Sequence, residues 1–196
     1  RGSASVKRIV EILNTESEIK EDLNPVKELS NGSVSFKNVC FCYPGSIEKT
    51  LKNISFTVNS GEVLGIIGST GSSKSTLVQL IPRLYDATEG NVMVGNKDVK
   101  QYDIKTLRDN VAFVLQNNTL FSGTLRENMK WGNEDATDEE IINALKLAQA
   151  WEFVSKYHDG LDHIVEQGGE NFSGGQKQRL TIARALLKSP KIIILD

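Results

Sequence analysis

Residues Gly68-Ser69-Thr70-Gly71-Ser72-Ser73-Lys74-Ser75-Thr76 follow an apolar run, Glu62 to Ile67 (EVLGII), and lead into a helical pattern from Ser75 to about Leu84. The run reads as a buried strand. Strand, glycine loop and helix in that order are the setting of a phosphate-binding P-loop. In such a loop the backbone N–H groups and the start of the helix converge on phosphate oxygens. Lys74 would supply the cation for the β- and γ-phosphates, and the Ser75 hydroxyl a ligand for Mg2+. One position departs from the G-x-x-x-x-G-K-[ST] pattern: Ser73 stands where the second glycine belongs. A β-carbon is acceptable there only if the backbone keeps a negative φ and the phosphates leave room. Gly71 restores some of the freedom. Taken by itself, the segment would be a Gly/Ser-rich turn carrying a surface lysine.

A second stretch bears on the same chemistry. Ile192-Ile193-Ile194-Leu195-Asp196 is four large apolar residues followed by an acid. An Asp at the C-terminal end of such a strand orders the Mg2+ shell in P-loop NTPases. By itself it would be a solvated strand end; with the glycine loop in the same chain, the Mg2+ role is favoured.

The third stretch is Phe172-Ser173-Gly174-Gly175-Gln176, which opens a helix running to about Leu187. Ser173 and Gln176 have capping-box spacing, a purely structural explanation for those two residues. It leaves the glycines unexplained, since each costs ~0.8–1 kcal/mol in a helix relative to Ala. Bare N–H groups at a positive helix terminus suit close approach of an anion. Two phosphate devices in one chain are reconciled if each nucleotide is held by the loop of one copy and the glycine turn of another.

Outward from these motifs, Val34, Phe36 and Val39 form one strand-like run, and Ile54, Phe56 and Val58 alternate in another. Tyr43-Pro44-Gly45-Ser46 between them is turn chemistry. Val92 to Val94 and Val111 to Leu115 are further strand candidates, and Asp138 to Gln149 places Ile141, Leu145 and Ala148 on one helix face. Strand–loop–helix units with uninterrupted apolar strands indicate an α/β fold. Near the start, Val6, Ile9, Val10 and Leu13 have helical spacing, and the charged stretch from Glu16 to Glu28, with Pro25 inside, reads as a linker or arm. A terminal helix packed on its own domain is the alternative.

With 196 residues the chain is one large domain, or a domain plus an arm. Its 39% hydrophobic content excludes a wholly disordered chain. Lys plus Arg number 23 against 25 Asp plus Glu, a net charge of −2 that argues against nucleic acid as a partner. There is no run of ~18 apolar residues, and Arg1-Gly2-Ser3 begins no apolar signal region, so secretion is not expected. Cys40 and Cys42 cannot build a disulfide framework or a four-ligand zinc site, and their C-x-C spacing with no nearby His makes a poor metal or redox pair. A reducing cytosolic setting fits best.

Together these residues resemble the nucleotide-binding domain of an ABC (ATP-binding cassette) transporter, from about Ser33 to Asp196. Ser173-Gly174-Gly175-Gln176 is similar to the family signature, with Phe172 where Leu is commoner. The resemblance implies a RecA-like P-loop core, an antiparallel β subdomain and an inserted helical subdomain at about 117–187. It implies that Gly68 to Thr76 is the Walker A loop, and Ile192 to Asp196 the Walker B strand. Gln116 matches the Q-loop glutamine, a Mg2+ contact and γ-phosphate sensor, and Tyr43 the aromatic that stacks on adenine; a partly buried turn tyrosine is the plain alternative. The implied cofactors are ATP and Mg2+, and the implied general base lies just beyond Asp196, outside the chain.

Leu120-Phe121-Ser122-Gly123-Thr124-Leu125-Arg126-Glu127-Asn128 and Ser5 to Leu13 resemble exporters that fuse membrane and ATPase domains. Residues 1–30 would then be a connector from a membrane domain outside this chain, and 31–196 the cassette. The implied partners are a second cassette and that membrane domain, at the cytoplasmic face of the cell membrane. The run Val165 to Asn171 departs from the Gly-Glu-Arg-Gly form common in these exporters. That keeps open a catalytically weak, regulatory half of a heterodimer, and a non-transport ABC ATPase is a further alternative. Lipid, drug and peptide cargo all stay open.

Overall fold

A computed structural model describes residues 2–15, 17 and 19–196. β1 (Val34–Phe41) and β2 (Leu51–Val58) pair antiparallel, with Phe36 opposite Phe56 and their rings stacked at 4.7 Å between centroids. β3 (Glu89–Val94) takes the other edge of β1, and β4 (Lys97–Asp98) returns along β3, giving the order β2-β1-β3-β4. The last return is made by Gly95 and Asn96, both at positive φ, as a tight hairpin requires. β5 (Val111–Val114) and β8 (Ile192–Leu195) form a parallel pair, the product of the long connection between them.

That connection is the helical region. β6 (Gly123–Thr124) pairs with β7 (Ile164–Val165). Around them lie α4 (Leu125–Lys130), α5 (Asp138–Leu147), α6 (Trp151–Val154) and α7 (Gly174–Leu187). The α4, α5 and α7 helices each start on a complete capping box, at Thr124/Glu127, Thr137/Glu140 and Ser173/Gln176. The buried residues form two clusters. One lies against the antiparallel sheet and includes Phe36, Val39, Leu80, Tyr102, Leu107 and Ile194. The other is helical and includes Leu125, Met129, Ile141, Leu145, Leu180 and Ala183.

Two expectations are corrected. Glu62 to Ile67 is not a strand: it pairs with no described residue, and Val63 and Ile67 are 98% and 99% exposed. Apolarity and length suit a segment to be a strand, but hydrogen-bonded neighbours make one, and among the described residues β5 and β8 pair only with each other. The helix expected from Ser75 to about Leu84 is shorter. The α2 helix (Lys74–Gln79) gives way to turns that run into Pro82 and a left-handed Arg83.

The helix expected near the start is present as α1 (Gly2–Leu13), and Val6, Ile9, Ile12 and Leu13 are exposed on it. The stretch after it is not loose. Val26 bridges to Tyr102, Leu29 is buried, and Lys191 Nζ donates to the carbonyls of Leu29 and Ser30. Arg83, only 3% exposed, holds Asp86 with two hydrogen bonds and donates to the carbonyl of Lys20 at 2.8 Å. Among the described residues no helix is long and apolar enough to cross a membrane.

Candidate nucleotide site

The loop from Gly68 to Thr76 is anchored at its helical end, where Thr76, Leu77, Leu80 and Ile81 are buried in the sheet-side core. Ahead of that anchor, residues 68–72 are exposed and Ser73 and Lys74 half-buried. Gly71 has φ +82, and Ser72 N donates to Ser69 O at 3.1 Å, which closes the turn. Lys74 folds back on the loop: its ammonium donates to Gly68 O at 2.8 Å, Ser69 O at 2.9 Å and Ser72 Oγ at 3.2 Å. The cation is therefore held by two carbonyls and a hydroxyl of the loop, not by the N–H groups that the sequence assigns to phosphate.

Ser73 corrects a further expectation. It adopts φ +63 and ψ +22, the left-handed region, rather than the negative φ that a residue with a β-carbon prefers. The position behaves as glycine would, with serine in it. Left-handed backbone costs a non-glycine residue about 1–2 kcal/mol. Exposed hydrogen bonds like those of Lys74 are each worth only about 0.5–1.5 kcal/mol net. The strain and the bonds that brace the loop are thus of similar size.

Three contacts join the loop to distant parts of the chain. Ser75 Oγ donates to Asp196 Oδ1 at 3.0 Å, so two of the three residues assigned to Mg2+ meet across 121 positions of sequence. The Tyr43 and Thr76 hydroxyls share a hydrogen bond of 2.9 Å. Tyr43 also meets Phe41 and Tyr85 edge to face, at 4.8 and 5.3 Å between centroids. It is half-buried beside the loop, as either an adenine platform or a turn tyrosine would be.

Gln116, just past β5, is exposed and lines an open cleft of about 420 Å3 with Asn117, Asn118, Gly174, Lys177 and Asp196. Gln116 and Asp196 thus face common space, and Gly174 borders it from α7. No residue from Gly68 to Thr76 lines that cleft. The link between this cleft and the phosphate loop is Asp196, which holds Ser75.

The turn itself follows helical rules. Ser173 Oγ accepts from Gln176 N at 3.3 Å, and Gln176 Oε1 accepts from Ser173 N at 2.8 Å. Gly174 and Gly175 have no positive φ, and a β-carbon built on either meets nothing within 4 Å. Neither local conformation nor packing in this chain calls for glycine there. Phe172 is buried beside Phe153, Tyr157 and His163 and anchors the turn.

Some residues escaped the sequence reading. Asn128, 1% exposed, donates to the carbonyls of Phe121 and Thr124 and accepts from Phe121 N, which shapes the loop after Gln116. Its signal was a polar residue at a core-facing spacing, between Leu125 and Met129. Arg184 of α7 lies over the Phe121 ring, and burial pushes its pKa down. Its Nη1 is buried and has no hydrogen-bond partner among the described residues. The two thiols have separate surroundings: Cys40 is buried and accepts from Asn53 N, whereas Cys42 Sγ lies 2.9 Å from Ser46 O. His163 stacks on Tyr157 and contacts Asp159.

A phosphate-type loop at the N-terminus of a helix, an acid at the end of a parallel strand and a glycine-opened helix in an inserted helical region define a mixed α/β protein of the P-loop NTPase class. Comparison with known proteins narrows this: the family profile described as ABC transporter matches residues 51–196, and the chain belongs to that family.

Its relatives agree. It is 43% identical over 196 residues to the ABC transporter ATP-binding protein YfiB of Bacillus subtilis, covering 100% of this chain and 34% of that protein. It is 39% identical over 197 residues to the ATP-dependent lipid A-core flippase of Escherichia coli, covering 100% of this chain and 34% of the flippase. YgaD of Bacillus subtilis, named for multidrug export as an ATP-binding/permease protein, is 43% identical over 98% of this chain and 33% of its own. Among solved structures, a bacterial Atm1-family ABC exporter with ATP bound superposes with a TM-score of 0.91 at 32% identity, over 100% of this chain and 34% of that one. The chain spans about a third of the length of these proteins.

Proposed function

We propose that this chain is the nucleotide-binding module of an ABC exporter, and that two such modules hold ATP between them to drive transport. The observation that carries the two-copy arrangement is the pair Gly174 and Gly175: unstrained, open to solvent and not required by their own chain. Their N–H groups stand at the start of a 14-residue helix, where a negative charge from outside is favoured.

The residue roles follow from chemistry. Lys74 leaves Gly68, Ser69 and Ser72 to neutralise phosphate charge, and the loop amides orient the phosphate chain. Tyr43 offers a ring to adenine beside the loop. Ser75, Gln116 and Asp196 present hydroxyl, amide and carboxylate oxygens, a hard-oxygen set of the kind Mg2+ selects. When bound, Mg2+ would supply neutralisation of phosphate charge. The Gly174 and Gly175 amides of the second copy would complete the enclosure and exclude water. The free energy of that closure, rather than hydrolysis, brings the two modules together.

Export rather than another ABC role is supported by the names of the relatives, among them a flippase and a multidrug export ATP-binding/permease protein. Their unmatched two thirds leave room for a membrane domain, which would place this module at the cytoplasmic face of the membrane. A cavity of about 390 Å3 lined by Leu84, Leu115, Trp131 and Arg184 is the surface we assign to that domain. Its apolar walls, Leu84, Leu115 and Trp131, are exposed.

Calorimetry and sedimentation with Mg2+ and ATP test the reading together. Saturable ATP binding and nucleotide-dependent doubling of mass are expected. Binding without any self-association would remove the two-copy arrangement and leave the nucleotide site standing.

A further inference from the structure

Ser73 makes no side-chain hydrogen bond at the head of α2, yet it holds a backbone conformation suited to glycine, between the glycine-rich turn and Lys74. The neighbouring hydroxyls are engaged: Ser72 Oγ accepts from Lys74, Ser75 Oγ donates to Asp196, and Thr76 Oγ1 bonds Tyr43. What Ser73 contributes is therefore conformational. If its φ turned negative, the N–H groups on either side of it would swing apart and the concave arrangement would be lost.

The bonds that oppose this relaxation are the three from Lys74, all solvent-exposed, and one from Leu77 N to Ser73 O at 3.0 Å. Lys74 must give up its three to meet a phosphate. We propose that Ser73 sets the affinity of this loop for polyphosphate, by making the binding conformation costlier than a glycine would. The ligand-free loop then divides between the left-handed, competent form and relaxed forms. Affinity is lowered by the fraction that is not competent. This inference rests on the phosphate-binding role of Gly68 to Thr76.

The test is a series graded by tolerance of left-handed backbone: S73G, S73N, the parent and S73A in the full chain. Each is titrated calorimetrically with Mg-ATP and separately with inorganic tripolyphosphate. Glycine should bind tightest, about 5-fold over the parent with roughly 30-fold as the ceiling set by the left-handed penalty. Asparagine should fall between, and alanine should match serine. The ratios should be the same for both ligands, because the effect lies in the phosphate loop and not at the base.

Relaxation-dispersion NMR gives a readout apart from binding. Amides of residues 69–76 should show exchange in the ligand-free parent and lose it in S73G. Equal affinities across the series, or serine binding tighter than both alanine and glycine, would overturn the inference; the second result would mean a direct hydroxyl contact. Should neither the parent nor S73G bind either ligand, the phosphate-site reading fails first and this inference falls with it, a result distinct from a flat but measurable series.

Discussion

The two glycine-bearing turns of this chain solve opposite problems. The turn at Ser173 obeys every local rule: a complete capping box, helical φ throughout and a buried Phe172 behind it. The loop at Lys74 breaks the rules, with left-handed Gly71 and Ser73 and no side-chain cap on its helix. The first has glycines its own fold does not need; the second has a serine where its fold would favour glycine. Surplus glycine points to something outside the chain, whereas missing glycine points to a penalty inside it.

Perturbing the two turns should therefore give contrasting results. The largest effect is expected from Lys74→Ala. Removing the partner of a phosphate should weaken Mg-ATP binding by about 30-fold or more in calorimetry. Thermal stability should change little, because every bond Lys74 makes is exposed. Unchanged affinity would remove the loop from the nucleotide site.

Gly174→Ala with Gly175→Ala comes next. The pair should raise stability by up to about 1 kcal/mol per site, read as a higher Tm, while nucleotide-dependent self-association is lost. A drop in Tm would mean that this chain itself requires the glycines. Ser173→Ala should lower stability by about 1 kcal/mol through loss of the cap. It sharpens the contrast, since the same measurement on S73G should show a gain.

The smallest effect is a pH dependence that both turns should ignore. Tyr102 is buried and donates to Val94 O at 2.9 Å, and burial raises its pKa. Its neutral form is favoured in the folded state. The contribution is complete below the unfolded tyrosine pKa of about 10 and is lost as pH rises through the higher folded value. Tyr102→Phe should flatten the alkaline limb of a stability–pH curve and leave nucleotide binding untouched.

Legibility in the sequence tracked how local each cause was. The capping boxes at 124, 137 and 173 depend on residues three apart, and Ser173/Gln176 was read directly. Val34, Phe36 and Val39 and the run from Ile192 to Leu195 lie in strands β1 and β8, because alternation and apolarity report burial. The identical reasoning failed for Glu62 to Ile67, where the missing ingredient is a neighbouring strand and no property of the segment itself supplies one.

The residue types of the candidate site were visible, but the ties among them were not. Tyr43 to Thr76 spans 33 positions and Arg83 to Lys20 spans 63. No spacing rule reaches that far. Ser73 shows a different limit: its departure from the pattern was plain, yet the sign of φ was decided by the loop's closure around Lys74.

The most direct test of the shared site is a photo-crosslinking amino acid at position 70, in tagged chains mixed with untagged ones. With Mg2+ and ATP, mass spectrometry should find crosslinks from tagged to untagged chains on peptides spanning 171–178, and none without nucleotide. Crosslinks confined to the tagged chain itself, or indifferent to ATP, would contradict a nucleotide held between two copies.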